Sequence, residues 1–553
     1  MKRILKDIFN ILNAGEKRKL WVLSVSDVIL SVLDIGFLVL LLYVINFYTR
    51  PASALPSGFF SLPIIHDHPL LLIVVFFLLF TLKNVFGFII SGSQYHFVYG
   101  VASRLSRDGL MLYLDGNYTD YIHIDSSVIN RKISQQPVEF CHYVLNGMQQ
   151  VFSQVVLIMI TSIAVIIFNP LLFPLLILFL VPPVFFISFL MKRKLNDTLH
   201  HGKYASEKAI QHLQEALSGY VESNIYLKND FFTNRYYRFQ AQLNRYLSAR
   251  LTIQSMPGRL IEVFAVFGLL ILIIANSFAT HDRGIRLVTI GALMIAVYKI
   301  IPGIVKITNT TNQIRSYAYS TAGLSNTIGQ NPDRMDQQIP VESVKFERIS
   351  FRYEGKPILS DFSLNMFKAE LIGIAGISGR GKTTLINILL GFLPADSGNI
   401  YINSRIADPE NRKHYWSRIA YCKQQHFFLH DSIIKNITLT EGDYDRGKLD
   451  KVLAITGIDK LISVFPRGLD TIITENGKNF SGGQRQRFIF ARALYKDADL
   501  LILDEPFNEL DDLAEKEMLQ QLQNIAAQGR IVLLITHNKD ALNYCNKKCL
   551  MDE

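Results

Sequence analysis

The chain has 553 residues, enough for about two to four domains, and its 49% hydrophobic content and mean hydropathy of +0.21 are high for a protein surrounded by water. Its formal net charge is +10, from 57 Lys and Arg against 47 Asp and Glu. The apolar residues concentrate before residue 310 and no basic patch marks the polar remainder, so the charge reads as a membrane-topology signal and argues against a nucleic-acid partner.

Six apolar stretches are long enough to cross a bilayer core, which takes about 20 residues. They are Leu20 to Tyr48, Pro69 to Ile90, Val151 to Phe168, Pro170 to Met191, Leu260 to Phe278 and Leu287 to Val305. The first is too long for a secretory signal and lacks a small-residue cleavage site. Lys2, Arg3, Lys6, Lys17, Arg18 and Lys19 precede it, whereas the loop from Thr49 to His68 carries only Arg50. The N-terminus is therefore expected in the cytoplasm, and six crossings bring the chain back to that side. Asn169 and Pro170 form almost the whole second outer loop, while the inner stretches are long, polar and helix-compatible (Gln94 to Gly116, Asn196 to Leu217, Phe232 to Leu251). The membrane helices should continue into the cytoplasm.

Asp27 and Asp34 lie in the first span, Lys83 in the second, Glu262 in the fifth and Lys299 in the sixth. Each costs roughly 2.5 to 3.5 kcal/mol at the centre of a bilayer, so each should face a cavity or find a partner. Asp34, Lys83 and Lys299 are candidates for a substrate cavity; alternatively Asp34 and Lys83 form a structural ion pair, and Asp27 and Glu262 lie near cytoplasmic ends. Pro182-Pro183 and Pro302 are expected either to kink their helices or to be tolerated between packed spans. The cysteines Cys141, Cys422, Cys545 and Cys549 show no metal-site spacing and read as free thiols, the last two in a helix or turn. A polar, proline-bearing linker, Gln330 to Pro340, leads into a compositionally ordinary C-terminal part.

There, Gly376 to Thr384 (GISGRGKTT) has the spacing of a phosphate-binding P-loop, between an apolar run suited to a buried strand (Leu371 to Ala375) and a helix-forming run (Thr384 to Leu390). Lys382 would reach the β and γ phosphates and Thr383 would hold Mg²⁺; Gly376, Gly379 and Gly381 would let the backbone approach, with Ser378 and Thr384 completing the nucleotide-binding stretch. A second string, Phe480 to Arg487 (FSGGQRQR), is not required of P-loop proteins in general.

With that second string the chain resembles the ATP-binding cassette (ABC) family, whose signature is LSGGQ. The resemblance runs in order through the last third: Tyr353 matches the aromatic that stacks on adenine, Gln424 the Q-loop glutamine, Leu500 to Glu505 (LLILDE) the Walker B strand, Asp511 the D-loop aspartate and His537 the switch histidine. It implies that Asp504 and Gln424 join Thr383 around Mg²⁺, that Glu505 polarises the attacking water, and that His537 and Lys382 contact the phosphates. The signature residues Ser481, Gly482, Gly483 and Gln484 would act on the nucleotide of a second copy. The cofactors implied are ATP and Mg²⁺.

The family resemblance further implies a half-size exporter working as a homodimer by alternating access. An all-α six-helix transmembrane domain (1–328) and a linker (329–341) would precede an α/β P-loop cassette (342–553). Coupling helices are placed near Tyr118 to Ile129 and Glu222 to Lys228. The sixth span, AVYKIIPGIVKITNTTNQI, is similar to that of bacterial lipid-linked oligosaccharide flippases. The expected partners are a second copy, membrane lipids and an amphipathic substrate, with a lipid-linked oligosaccharide or lipid as the leading guess and a small peptide, toxin or hydrophobic drug as the alternative. The expected location is a bacterial inner membrane. A soluble ABC ATPase acting on ribosomes or DNA would explain the cassette alone, and an ATP-gated channel the whole; the six spans count against the former.

Some residues depart from the family pattern. Arg380 stands at a P-loop position that is usually small, Lys423 replaces the proline before the Q-loop glutamine, and Phe507-Asn508-Glu509 replaces Thr-Ser-Ala before the D-loop aspartate. The chain ends at Glu553, so the family's C-terminal strand and helix are expected to be shortened or absent.

Overall fold

The computed structural model describes residues 2–49, 69–116, 124–168, 201–202, 204–278, 287–324, 339–353, 355–377 and 379–551, with a few single positions besides. The chain divides into two compact units: residues 1–116 with 124–330, and residues 331–553 with 117–123.

The described residues of the first unit are helical. Helices Lys2–Ile11, Ala14–Thr49 and Pro69–Asp115 lead to a helical run from Ser126 to Phe168, which π-helical segments interrupt at Arg131–Gln135 and Phe140–Leu145. Helices follow at 204–218, Tyr220–Ile225, Asn229–Phe278, Leu287–Ser316 and Tyr319–Leu324. Ala14–Leu41, Leu70–Asp115 and Val128–Ile167 are long and apolar enough to cross a membrane. They present large apolar side chains outward, among them Phe77, Phe88 and Ile167. The first, second and third expected spans fall in these helices, and the fifth and sixth fall in Asn229–Phe278 and Leu287–Ser316. The fourth, Pro170 to Met191, lies outside the described residues apart from three positions, and so does the pair Pro182-Pro183 apart from the first. Helix Leu287–Ser316 runs unbroken past Pro302, where Gly303 lets it approach Gln154 and Ile158 of the facing helix.

Short N-terminal helix Lys2–Ile11 is held by its apolar stripe. Ile8, Ile11 and Leu12 are buried against Phe97, Val98, Val101 and Leu105 of the long second-span helix, and each such side chain contributes roughly 1.5 to 3 kcal/mol. A charged clamp adds direction to this contact. Arg104 donates from Nε to Glu16 Oε1 at 2.7 Å and from Nη2 to Glu16 Oε2 at 2.8 Å, while its Nη1 donates to Asp108 at 2.9 Å and Nη2 to the Ile11 carbonyl at 3.0 Å.

Two of the membrane carboxylates, Asp34 and Asp27, have partners. Lys83 donates to Asp34 while its ammonium also stands 4.9 Å from the Phe80 ring centroid, and Gln94 donates to Asp27 at 2.7 Å. The side chains of Glu262 and Lys299 lie outside the described residues. Of the expected coupling helices, the first falls partly outside the described residues, with helix Ser126–Asn130 in its last part. The second corresponds to Tyr220–Ile225, followed by Leu227 at φ 52° and 87% exposed.

The second unit is built on sheets. A four-stranded antiparallel sheet has the order β2-β1-β4-β5, from Ser343–Tyr353 (β1), Lys356–Phe367 (β2), Ser397–Ile402 (β4) and Arg405–Ile406 (β5). A five-stranded parallel sheet has the order β11-β3-β10-β9-β6, from Leu371–Ala375 (β3), Ile419–Cys422 (β6), Leu500–Asp504 (β9), Ile531–Thr536 (β10) and Lys547–Leu550 (β11). A two-residue pair, Asp431–Ser432 (β7) with Ile472–Ile473 (β8), completes the strands.

In the parallel sheet, β3, β9 and β10 are buried along their whole length, and successive residues serve opposite faces. Ile372, Ile374, Ile502, Leu533 and Ile535 pack with Leu385, Ile386 and Leu389 of helix Lys382–Leu389. Leu371, Leu501, Leu503, Val532 and Leu534 pack on the other face with Phe488 and Phe490 of helix Gly482–Tyr495. A short last strand, β11, pairs in parallel with β3; Cys549 lies in that strand rather than in a helix or turn. All four cysteines are free thiols.

Neutralising one member of the Asp34–Lys83 pair leaves a buried charge alone. Asp34→Asn or Lys83→Met should each destabilise the detergent-solubilised protein by about 2 to 3 kcal/mol. The double variant should recover most of the loss in thermal unfolding; additive losses would rule out the pair.

Candidate functional site

Parallel pairing places three loops at one edge of the sheet. Ala375 is opposite Thr536 and Asp504 opposite Ile535, so β3 ends into Gly376, β9 into Glu505 and β10 into His537. Ligands of open α/β sheets bind at this carboxyl edge.

The P-loop closes around its own lysine. Lys382, the first residue of its helix, is 6% exposed and donates from Nζ to the Gly376 carbonyl and, at 3.3 Å, to the Ile377 carbonyl. Gly379 and Gly381 have φ of 88° and 86°, the left-handed region that costs other residues strain. At Gly381 a Cβ would also stand 2.7 Å from Ile358 Cγ2, whereas at Gly379 it would meet nothing within 4 Å. Ser378 lies outside the described residues. Thr383 and Thr384 occupy the first turn of the helix. Arg380 is exposed, and among the described residues no side-chain hydrogen bond or ion pair holds its guanidinium.

Opposite the helix N-terminus stands Asp504, 3% exposed. Thr383 Oγ1 donates to its Oδ2 at 3.2 Å and Tyr421 OH to the same oxygen at 3.4 Å. Burial pushes the Asp504 carboxyl above the ordinary aspartate range; the Thr383 hydroxyl pulls it back, the Glu505 charge raises it further, and Tyr421 and Lys382 lower it. Tyr421 was not apparent from the motifs, because it reaches Asp504 only through the pairing of β6 with β9.

Glu505 has φ 53°, a left-handed conformation that costs a non-glycine residue about 1 kcal/mol or more and is held by its N–H donating to Ile535 O at 2.9 Å. Gln424 Nε2 donates to Glu505 Oε2 at 2.7 Å, and Asn508 Nδ2 donates to the same oxygen at 2.9 Å. The structure thus brings Lys382, Thr383, Gln424, Asp504 and Glu505 together. His537 is exposed just beyond β10, and neighbouring Asn538 is held by Glu515 Oε1 at 2.9 Å. Tyr353 ends β1, 40% exposed, with its ring edge-on to Phe351 at 5.9 Å.

The signature residues form the start of a helix. Ser481 caps Gly482–Tyr495: its Oγ accepts from the Gln484 N–H at 3.4 Å, and Gln484 Oε1 accepts from the Ser481 N–H at 3.0 Å, a reciprocal capping box. Over Gly482 and Gly483 lies Glu509, which is ion-paired with Arg485 at 3.1 Å. Asp511 caps helix Asp512–Ala527 by accepting from Ala514 N–H at 2.8 Å.

The ABC transporter profile matches residues 359–508. Residues 359–508 form an ABC transporter domain. Sequence relatives of the chain include an ATP-dependent lipid A-core flippase of Vibrio vulnificus, 28% identical over 310 residues, or 55% of this chain and 53% of that one. Another is a probable ABC transporter ATP-binding/permease protein of Haemophilus influenzae, 30% identical over 249 residues, or 44% of this chain and 45% of that one. The chain therefore spans about half the length of the relatives it matches. In three dimensions the likeness is wider. A bacterial Atm1-family ABC exporter with ATP bound superposes with a TM-score of 0.79 over 98% of this chain and 94% of that one, at 16% sequence identity, so the likeness extends to the fold of the whole chain.

Two consequences of the local geometry are measurable. Gly379→Ala should weaken binding of a fluorescent ATP analogue about fivefold, the cost of left-handed strain alone, whereas Gly381→Ala, which adds the clash with Ile358, should remove it. Equal losses would show that the Ile358 contact is unimportant. Burial pushes the Cys422 thiol up to about 12 and the Cys545 thiol up to about 11. Both should resist alkylation at pH 8 in the folded protein and react after unfolding, as followed by mass spectrometry.

Proposed function

We propose that the chain is an ATP-driven exporter or flippase of an amphipathic substrate, working as a homodimer with a transmembrane domain (1–328), a linker (329–341) and a cassette (342–553). The observation that carries this reading is the convergence of Lys382, Thr383, Asp504, Gln424 and Glu505 at one sheet edge, in a chain whose first part holds membrane-length helices. Lipid is the favoured substrate class, since the sixth span is similar to lipid-linked oligosaccharide flippases and relatives carry the name lipid A-core flippase. The location that fits is a bacterial inner membrane with the cassette cytoplasmic.

In this reading, Lys382 exchanges its contacts with the Gly376 and Ile377 carbonyls for the β and γ phosphates of ATP. Tyr353 stacks on adenine, and Gly376, Ser378, Gly379, Gly381 and Thr384 line the phosphates. His537 contacts the γ-phosphate. The oxygen donors at Thr383 and Asp504, with the Asp504 carboxyl already raised by burial, suit a hard divalent cation, and the amide oxygen of Gln424 would join them. Bound Mg²⁺ would supply neutralisation of the phosphate charge.

Glu505 takes a proton from water as the water oxygen bonds to the γ-phosphorus. The bond from that phosphorus to the bridging oxygen breaks, and ADP and phosphate leave. Ser481, Gly482, Gly483 and Gln484 engage the nucleotide of the second copy, Asp511 lies beside that contact, and closure of the two cassettes drives the membrane helices between access states.

ATPase activity in proteoliposomes should rise with lipid-linked sugars or lipid A-type glycolipids, and the stimulating lipid should change leaflet only with ATP. Stimulation by peptides or cationic drugs alone would move the substrate to the alternative class. Glu505→Gln should lower turnover at least 100-fold while preserving ATP binding; unchanged turnover would overturn the assignment of the base.

A further inference from the structure

The segment between Glu505 and Asp511 departs most from the family pattern, and the structure gives its residues contacts that the motifs did not foretell. Asn508 donates to Glu505 Oε2 at 2.9 Å, beside the 2.7 Å bond from Gln424 to the same atom. Among the described residues, no hydrogen bond engages Oε1. Two amide donors on one carboxylate oxygen withdraw its lone pairs and fix the rotation of the side chain.

The segment that carries Asn508 is itself pinned. Phe507 is buried, Leu510 N–H donates to Phe507 O at 3.0 Å, and Asp511 is committed to capping the next helix. Buried Gln486 of the signature helix accepts from the Glu509 N–H, and Arg485 of that helix holds the Glu509 carboxylate at 3.1 Å.

We infer that Asn508 is a positioning residue which, together with Gln424, holds Oε2 of Glu505 so that Oε1 is the oxygen that accepts the proton of water, and which ties this carboxylate to the signature helix through Glu509, Arg485 and Gln486. The inference rests on the reading of Glu505 as the base. Its chemical content is a difference between the two oxygens: donors hold one of them, and the other keeps its lone pairs.

The test uses the full-length protein in nanodiscs with Mg²⁺ and ATP. Asn508→Ala should lower kcat about tenfold, the scale of one hydrogen bond to a charged group, with KM for ATP unchanged. Asn508→Asp, equal in size but placing a second carboxylate against Glu505, should fall below Asn508→Ala. Asn508→Ser, which keeps a donor, should recover part of the rate. A merely structural role predicts the opposite order, with the isosteric Asp nearest the parent; that order, or a change confined to KM, would overturn the inference. The Glu505→Gln background separates the two levels of the argument. If Glu505→Gln alone keeps parental turnover, the assignment of the base is wrong before Asn508 is considered. If Glu505→Gln is slow and Asn508→Ala slows it by the same factor as in the parent, Asn508 does not act through Glu505.

Discussion

Parallel register is the constraint on which the candidate site depends. Because β3, β10 and β9 run side by side with Ala375, Thr536 and Asp504 near one level, the loops that follow them open at the same edge. The apolar content of those strands is what enforces this: alternate residues fill two cores, and sliding one strand by a single position would turn each core-facing side chain to the wrong face. The chemistry of Lys382, Asp504 and Glu505 therefore rests on isoleucines and leucines that never meet a ligand.

Charges are handled alike in both units, although the units differ in everything else. Lys382 is buried against carbonyls and Asp504 against two hydroxyls, while half-buried Arg104 meets Glu16 and Asp108 and half-buried Lys83 meets Asp34. Partnering of this kind offsets a desolvation cost of several kcal/mol per ion. At Asp504 the compensation is incomplete, since burial still dominates its raised protonation tendency. In the proposed function, that remaining demand for positive charge is met by a cation between Thr383 and Asp504.

What could be read from residues alone followed the range of the interactions concerned. The P-loop is a local device, so Gly379, Gly381 and Lys382 were legible from spacing, and the strands around it from short apolar runs. The long polar continuations of the membrane helices were legible because polarity changes while the residues remain helix-compatible. The Asp34–Lys83 pair could be posed only as one of two readings, since nothing in the chain specifies how two helices rotate against each other. Tyr421 and Arg104 were silent, as each acquires its partner from a distant segment. Asn508 was visible only as a departure from a pattern. The final strand was silent, because two lysines and a cysteine make β11 weakly apolar, yet it finds its place by pairing with the strongly apolar β3.

Helix Asn229–Phe278 contains 50 residues without a break, and Pro69–Asp115 contains 47. At 1.5 Å per residue each is a rod of about 70 to 75 Å. Over that length, a tilt of about 5° displaces the far end by about 6 Å, the order of one helical turn. Such rods act as levers that trade a small angle at one end for a large travel at the other, and Pro257-Gly258 in the first and Gly87 and Gly92 in the second stand near the middle, where part of that travel is taken up as bending.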